Sequence, residues 1–355
     1  MMCRILSTNE DVSHTPPLGD GGALRNMKRL IIILSLVIMG PLLLTSCLMS
    51  HQYRIIRNLD AQAGNRRFDP ALFKAVDEYA MNAPEAAAAT MESLAAYLAR
   101  PEWGELERVR ALWRWITSHI DYDAAKRNYY APETFRDRKG TCKGYAELFV
   151  LLARSAGITA VEITGYCRGS GFKPGDRIRN DHAWNAVRID SLWYLLDLTY
   201  GTGVVSDGKF IRQYQEHYFL TPPGEFIYSY LPEVPRWQLL PDRISKMKFE
   251  KLPFYRPGYF LSGLRQIDPA PSCIINCTGS MKISFSAPPG ITLTAVIRTE
   301  SGKSLFKPII DRKGEVIGIS ADFREPGDYY LVGWAGPDSG KGKQSWAFSY
   351  LVKNR

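Results

Sequence analysis

The spacing of apolar residues changes at Gly157, and this change narrows the folds that the chain can adopt. Before Gly157, apolar residues in the segment 142–156 recur at the three- and four-residue spacing of one helix face. Gly157 itself is a typical residue for the position that follows a helix C-terminus. After it come three runs rich in β-branched and aromatic residues, which is typical of strands. These runs are residues 158–166, 182–189 and 192–199. Helical spacing also occurs upstream, so the pattern predicts helices followed by strands.

A second pattern of short strands separated by turns occupies the C-terminal part of the chain. The runs are residues 281–286, 292–298, 315–320, 328–334 and 345–352. This pattern predicts a small β-sandwich over residues 270–355. Between the two patterns, residues 219–258 contain seven prolines, which predicts an extended segment crossing between two units.

The N-terminal residues have the pattern of an export signal. Basic residues precede an apolar run, residues 30–44, and small residues and Cys47 follow it. Residues 44–47, Leu-Thr-Ser-Cys, resemble the lipobox of bacterial lipoproteins, in which cleavage occurs before the cysteine and the thiol carries diacylglycerol. This resemblance implies a leader over residues 1–46, a lipid on Cys47 and a polar tether over residues 47–66.

The same apolar run also allows an uncleaved anchor helix. Residues 30–49 number about 20, which is just enough to span a bilayer. Basic flanking residues stay on the cytoplasmic side, so both interpretations place the following domain outside the cytoplasm. We expect a cell-envelope protein held at the membrane by its N-terminal lipid, with the anchor helix as the alternative.

Composition bears on the partners and cofactors. The formal net charge is +9, but no stripe of basic residues interleaved with aromatic ones is present, so we expect no nucleic-acid partner. No Cys-x-x-Cys pair or His/Cys cluster has the spacing of a zinc site, so we expect no metal and no cofactor. An exported chain can form disulfides, and the short spacing of Cys273 and Cys277 predicts that they pair.

Cys142 is predicted to begin a helix, because it follows the loop Lys139-Gly140-Thr141 and precedes the periodic run. The helix dipole and the free N–H groups of the first turn lower the pKa of a thiol there and favour the nucleophilic thiolate. The alternative is a buried structural cysteine, which is a common role for a free cysteine.

His182 and Asp197 lie in two strands that are predicted to be neighbours. If residues 190–191 form a two-residue hairpin turn, Ile189 pairs with Leu192, and His182 and Asp197 become diagonal neighbours on one face. A register slip of one residue would separate them. The alternative for Asp197 is a surface acid near the turn. Leucines flank Asp197, however, and a buried carboxylate usually has a partner.

A thiolate at a helix start, a histidine and an acid on adjacent strands have the arrangement of a Cys-His-Asp triad. In that arrangement the histidine activates the thiol and later protonates the leaving amine, while the acid orients the ring. An oxyanion hole would need the backbone N–H of Cys142 and one further donor. Trp113 and Trp115 are candidates for that donor, although packing in the core is the favoured interpretation of both.

Three motifs occur in an order that resembles the transglutaminase-like core. They are residues 140–148 (Gly-Thr-Cys-Lys-Gly-Tyr-Ala-Glu-Leu), residues 182–187 (His-Ala-Trp-Asn-Ala-Val) and residues 193–199 (Trp-Tyr-Leu-Leu-Asp-Leu-Thr). The segments 219–227 and 237–240 are similar to the kyphoscoliosis peptidase branch of that superfamily. The resemblance covers about residues 103–260.

The resemblance implies an α+β fold, with a papain-like or transglutaminase-like core over residues 67–260 followed by the small C-terminal β-sandwich. It implies amide chemistry at a glutamine or peptide carbonyl, with Cys142 as nucleophile, His182 as base and Asp197 as orienting acid. The superfamily includes cross-linkers, proteases and inactive scaffolds, and all three triad positions are intact here.

We therefore expect a lipid-anchored envelope thiol enzyme, principally a peptidase or hydrolase, that acts on a protein or peptide substrate. One alternative is a protein-glutamine amine transferase, which shares the acyl-enzyme and differs only in the acceptor. The other is a non-catalytic scaffold that binds an envelope protein.

Overall fold

The computed structural model describes residues 63–125, 127, 130–169, 171–206, 208–269, 271–338 and 343–355. The predicted leader over residues 1–46, Cys47 and most of the predicted tether lie outside these residues. Within the described residues, no helix is both long enough and apolar enough to cross a membrane.

The helices lie mainly in the first half of the described chain. They are α1 Lys74–Met81, α2 Met91–Leu98, α3 Glu105–His119, α4 Ala131–Asp137, α5 Cys142–Ser155, α6 Leu198–Thr202, α7 Pro223–Phe226, α8 Lys246–Lys251 and α9 Pro257–Leu261. Short 3₁₀ turns cover Pro70–Phe73, Ala87–Ala89, Glu216–Tyr218 and Pro235–Gln238.

The strands of the first half form one four-stranded sheet and two short ribbons. They are β1 Asp121–Tyr122, β2 Lys139–Gly140, β3 Ala160–Cys167, β4 Asn180–Ile189, β5 Leu192–Leu196, β6 Gly203–Ser206, β7 Lys209–Arg212 and β8 Tyr230–Pro232. The sheet has the order β5-β4-β3-β8 and is antiparallel throughout. Strands β1 and β2 pair in parallel, and β6 and β7 form a hairpin.

Helix α5 ends as the sequence predicts. Gly157 has φ +75°, and the N–H of Ile158 donates to the carbonyl of Ala153, which closes the last turn in a Schellman motif. The apolar face of α5 packs on the sheet, and the buried Asn185 amide of β4 donates to the Ala146 carbonyl of α5 at 3.0 Å. This packing places the N-terminus of α5 beside the beginning of β4.

The predicted hairpin is present in the predicted register. Asp190 and Ser191 both have positive φ, at 47° and 71°, as a type I′ turn requires. Ile189 pairs with Leu192, and the ladder continues to Asn185 and Leu196. The second strand is shorter than predicted, because it ends at Leu196 and Asp197 becomes the N-cap of α6.

Two further segments differ from their predictions because they join the sheet. In the proline-rich region, which was expected to be extended between units, β8 pairs with β3 and short helical turns flank it. In the predicted tether over residues 47–66, Ala63 bridges to Trp193 and the Gly64 N–H donates to the Trp193 carbonyl at 2.8 Å. The last residues of that tether therefore belong to the core.

The second half of the chain is a β-sandwich, and we use this name for residues 254–354. Its strands are β9 Phe254–Tyr255, β10 Arg265–Asp268, β11 Ile274–Cys277, β12 Ser280–Ser286, β13 Ile291–Arg298, β14 Ser304–Phe306, β15 Ile309–Lys313, β16 Val316–Asp322, β17 Gly327–Pro337 and β18 Ser345–Asn354. One sheet has the order β10-β12-β16-β15, and the other has the order β11-β18-β17-β13-β14 with β9 also on β18. The sheets include β9 and β10, so the sandwich begins before the predicted residue 270.

Cys273 and Cys277 do not form the predicted disulfide; both are free thiols. Cys273 lies just before β11 and Cys277 ends it. Four residues of strand separate their Cα atoms by roughly 13 Å, whereas a disulfide joins Cα atoms about 4.4–6.8 Å apart. The short sequence spacing suggested a loop, and the extended backbone is what prevents the bond.

Candidate active site

Cys142 is the first residue of α5, and its side chain is half-buried at the wall of an open cavity of about 1100 Å³. The N-cap residue Thr141 makes no side-chain capping bond, so the first N–H groups of the helix are free of a cap. The Cys142 thiol lies 3.9 Å from the Asp181 carbonyl oxygen, which belongs to the beginning of β4. A nucleophile at this position is open to a ligand in the cavity.

His182 and Asp197 form a hydrogen-bonded pair. The Nε2 atom of His182 donates to Oδ2 of Asp197 at 2.7 Å. Because Asp197 occupies Nε2, the other ring nitrogen, Nδ1, is the one left for the Cys142 thiol, which lines the same cavity as His182. The structure therefore brings all three sequence-predicted residues together.

Asp197 is held by two donors in addition to His182. Its carboxylate is buried, the Tyr230 hydroxyl donates to Oδ2 at 2.7 Å, and the Tyr200 N–H donates to Oδ1 at 3.0 Å. The second bond is an N-cap, which exists because the strand ends one residue earlier. Three donors satisfy the buried charge and fix the plane of the carboxylate.

Electrostatics favour a charged Cys142–His182 pair. Burial opposes ionisation of the Cys142 thiol, but the hydrogen bond and charge of His182 and the Ala183 N–H outweigh it, so the pKa of Cys142 is lowered. Burial also opposes protonation of His182, yet the charge and the hydrogen bond of the nearby Asp197 carboxylate hold the pKa of this imidazole well above its usual value. Opposite shifts of this kind promote thiolate and imidazolium together.

Aromatic side chains surround the His182 ring. The ring centroids of Tyr200, Tyr230 and Trp184 lie 5.4, 5.8 and 6.1 Å from the imidazole. Tyr230 in turn stacks on Phe226 at 3.9 Å. These rings limit the orientations available to the imidazole and lower the local dielectric, which strengthens its bond to Asp197.

The cavity that Cys142 and His182 line is also lined by residues of β1, of β3 and of the loop that precedes β4. Its wall includes Tyr122 of β1, Cys167 of β3, Gly169, the loop residues 176–179 and the beginning of β4. A Cβ atom at Gly169 would collide with the Tyr200 hydroxyl, so glycine is needed for the loop to pass this close. Burial raises the pKa of the Cys167 thiol to about 12. This second thiol on the cavity wall is therefore protonated, whereas the pKa of Cys142 is lowered.

Tyr122 was not singled out by the sequence, although it is near the thiol. Strand β1 pairs with β2 directly before Cys142, with Tyr122 opposite Gly140, and this pairing places the phenol on the cavity wall. No hydrogen-bond partner for its hydroxyl is found among the described residues. Burial and the charge of Cys142 raise the pKa of Tyr122, so the hydroxyl is protonated and can donate.

Trp113 and Trp115 are not at the cavity. Both side chains are fully buried in α3, as the favoured packing interpretation predicted. The Trp113 indole donates to the Tyr214 hydroxyl at 3.3 Å, and Trp115 stacks on His119. The sequence also gave no indication of Tyr230, because its segment joins the sheet only through long-range pairing with β3.

The fold is a transglutaminase-like core followed by an immunoglobulin-like β-sandwich. Residues 92–198 match the family model of the transglutaminase-like superfamily. Residues 246–355 match the model described as KY-like, immunoglobulin-like domain. The second match includes β9 and β10, in agreement with the observed sheets.

Among characterised proteins, the chain is similar to kyphoscoliosis peptidase. It is 36% identical to the Mus musculus protein over 207 residues, 56% of this chain and 31% of that protein. It is 34% identical to the Homo sapiens protein over 225 residues, 61% of this chain and 34% of that protein. The chain thus spans about a third of the length of these relatives. A solved structure described as that of a TGase is 18% identical, covers 50% of this chain and 43% of that chain, and superposes with a TM-score of 0.24.

Proposed function

We propose that this chain is a thiol enzyme that cleaves peptide or glutamine amide bonds, with Cys142 as nucleophile, His182 as base and acid, and Asp197 as the residue that orients the imidazole. The observation that carries the proposal is the His182–Asp197 hydrogen bond at the wall of an open cavity that the Cys142 thiol also lines. Hydrolysis is the proposed reaction, and amine transfer is the alternative outcome of the same acyl-enzyme.

In the first half of the reaction, the Cys142 thiolate attacks the carbonyl carbon of the amide and a C–S bond forms. The carbonyl oxygen becomes an oxyanion, for which the Cys142 N–H and the Tyr122 hydroxyl are the proposed donors. The imidazolium of His182 then gives its Nδ1 proton to the leaving nitrogen, and the C–N bond breaks. The products of this half-reaction are a free amine and a thioester on Cys142.

In the second half, His182 is neutral and accepts a proton from the incoming nucleophile. Water gives a carboxylic acid and regenerates the thiol, whereas a primary amine gives a new amide. Asp197 stays ionised throughout and stabilises the imidazolium each time it forms. A protein or peptide side chain fits the open cavity, which has room for more than the scissile group alone.

Selective alkylation tests the proposed nucleophile without a known substrate. At pH 7 we expect iodoacetamide to modify Cys142 at least about tenfold faster than Cys167, Cys273 and Cys277, because the pKa of Cys142 is lowered while burial raises the pKa of each of these three thiols. The rate at Cys142 falls as the pH drops through its pKa, since the thiolate is then protonated. Peptide mass spectrometry measures each site separately.

A half-buried thiol far from the site provides the matched control. Cys277→Ala leaves the fast alkylation unchanged, whereas His182→Ala slows it at pH 7, because the imidazolium that lowers the thiol pKa is gone. Equal rates at Cys142 and Cys277 in the intact protein would contradict the proposal and favour the non-catalytic scaffold.

The N-terminal sequence supports a second proposal, that the enzyme acts in the cell envelope as a protein anchored by a lipid on Cys47. We expect Cys47→Ala to lose lipid labelling and to leave an uncleaved precursor, because the modified thiol and the cleavage signal are removed together. Metabolic labelling with a fatty acid and intact mass measure both effects. Unchanged mass and membrane partition in Cys47→Ala would favour the anchor helix instead, and Cys3→Ala is the matched control.

A further inference from the structure

Arg256 belongs to the sandwich by its backbone. It lies between β9 and α9, and its N–H donates to the Ala347 carbonyl of β18 at 2.8 Å. The guanidinium carbon lies 4.9 Å from the ring centroid of Trp346 and 5.3 Å from that of Phe254. The residue is only 6% exposed, so the sandwich fixes the position of a buried positive charge.

The Arg256 side chain points out of the sandwich and into the core. Its Nη1 donates to the Arg168 carbonyl at 3.2 Å, and its Nη2 donates to the Tyr218 hydroxyl at 3.4 Å. Among the described residues, no carboxylate lies within ion-pair distance of it. A buried cation that is compensated only by neutral oxygens is costly. The positions of its two acceptors, the Arg168 carbonyl and the Tyr218 hydroxyl, therefore indicate what this costly burial achieves.

Both acceptors belong to segments that hold Asp197. The carbonyl of Tyr218 accepts the Asp197 N–H at 3.1 Å. The N–H of Arg168 donates to the Ser229 carbonyl at 2.8 Å, directly before Tyr230, whose hydroxyl bonds to the Asp197 carboxylate. One guanidinium thus bridges the segment that holds the Asp197 backbone and the segment that holds its side chain.

Arg168 contacts the segment that leads into the sandwich. It extends from the end of β3, and its buried guanidinium donates to the Leu252 carbonyl at 2.8 Å and to the Phe249 carbonyl of α8. The Arg168 carbonyl accepts a hydrogen bond from Arg256, and the Arg168 guanidinium holds residues 249–252, which directly precede β9. The contacts of these two arginines tie the beginning of the sandwich to the segments around Asp197.

We infer that Arg256 is a positioning residue for the His182–Asp197 pair, through which the sandwich completes the proposed active site. The inference rests on the proposed function. Without the bridge, the Tyr218 and Tyr230 segments are no longer held against each other, and the Asp197 carboxylate loses its fixed plane. His182 is then a poorer partner for the Cys142 thiol. The titratable groups that face the guanidinium are Tyr200, Tyr218, Tyr230, Cys167 and His217.

The test compares Arg256→Met and Arg256→Lys in the full chain, with Arg265→Met on the exposed strand β10 as the matched control. The readout is the pH profile of Cys142 alkylation by chloroacetamide, a small neutral probe, followed by peptide mass spectrometry. We expect Arg256→Met to raise the pH midpoint of the profile and to slow alkylation at pH 7 by about tenfold, the size expected when a hydrogen bond to a charged group is lost. Arg256→Lys keeps the charge but spans only one acceptor, so it gives an intermediate shift.

Thermal unfolding and circular dichroism separate positioning from loss of fold. If Arg256→Met does not fold, the folded Arg256→Lys variant decides the question. A profile of either folded variant that matches the intact protein overturns the inference. If the pH profile of Cys142 alkylation in the intact protein has the midpoint of an unperturbed thiol, both the proposed function and this inference are wrong. If Cys142 is alkylated rapidly in the intact protein and the Arg256 substitutions leave that rate unchanged, only the inference about Arg256 is wrong.

Discussion

Cys142→Ala is expected to abolish amide turnover and acyl-enzyme formation while the fold stays intact. The substitution removes one half-buried sulfur at a helix start, and alanine is the best helix former, so the stability of α5 is preserved. The loss in kcat/KM is at least about 10⁴-fold, because the other thiol on the cavity wall, Cys167, is kept protonated by its raised pKa. Turnover of a peptide or glutamine-containing substrate measures it, and Cys277→Ala is the matched control.

His182→Ala is expected to lose nearly as much activity, and the double variant no more than either single one. Without the imidazole, the thiol at neutral pH is mostly protonated and the leaving amine has no acid. Residues that act as one unit show this non-additivity. Additive losses, or turnover that survives in Cys142→Ala, would show that the chemistry occurs elsewhere. If the chain is a scaffold, both variants keep full partner binding and there is no activity to lose.

The second large effect is expected for Asp197→Asn, with a loss in kcat/KM of about 10²–10⁴-fold. Asparagine still caps α6 and can still contact the ring, so the fold survives. The carboxylate, however, is the main group that raises the pKa of His182 against burial. Without it the pKa of His182 falls, the imidazolium persists only at lower pH, and the pH range in which thiolate and imidazolium coexist becomes narrower.

Tyr230→Phe separates the charge of Asp197 from its orientation. It removes one donor to the carboxylate at 2.7 Å but keeps the charge and the stacked ring. We expect a loss of about tenfold, much less than for Asp197→Asn. Tyr228→Phe, on a nearby tyrosine that does not bond to Asp197, is the control. If Tyr230→Phe equals Asp197→Asn, orientation rather than charge is the main contribution of the acid.

The local part of the site could be predicted from the sequence because short-range rules determine it. The turn residues Asp190 and Ser191 fix the hairpin register, and that register follows from counting along two adjacent strands. The end of α5 at Gly157 follows from backbone preference alone. These features, with the motif around Cys142, were sufficient to predict that His182 and Asp197 are neighbours.

Long-range packing was not predictable in the same way. Nothing near Asp197 in sequence shows that the strand ends at Leu196, because the Tyr218 carbonyl, which accepts the Asp197 N–H, comes from a distant segment. Tyr230 reaches the site through the pairing of β8, and Arg256 reaches it from the sandwich. The residues next to them in sequence therefore do not indicate that either side chain lies near Asp197. The proline-rich composition of that region predicted extension and concealed a strand.

Strand β8 bears on how such a protein can be recombined during evolution. A gene fragment that ends after residue 198 encodes the thiol, the imidazole and the carboxylate, and it covers the whole stretch recognised as transglutaminase-like. Its product nevertheless lacks the fourth strand and the phenol that bonds to the carboxylate. Shuffling of that fragment alone would transfer the proposed reacting groups without their support. Inheritance is therefore expected to keep residues 63–232 together as one heritable block.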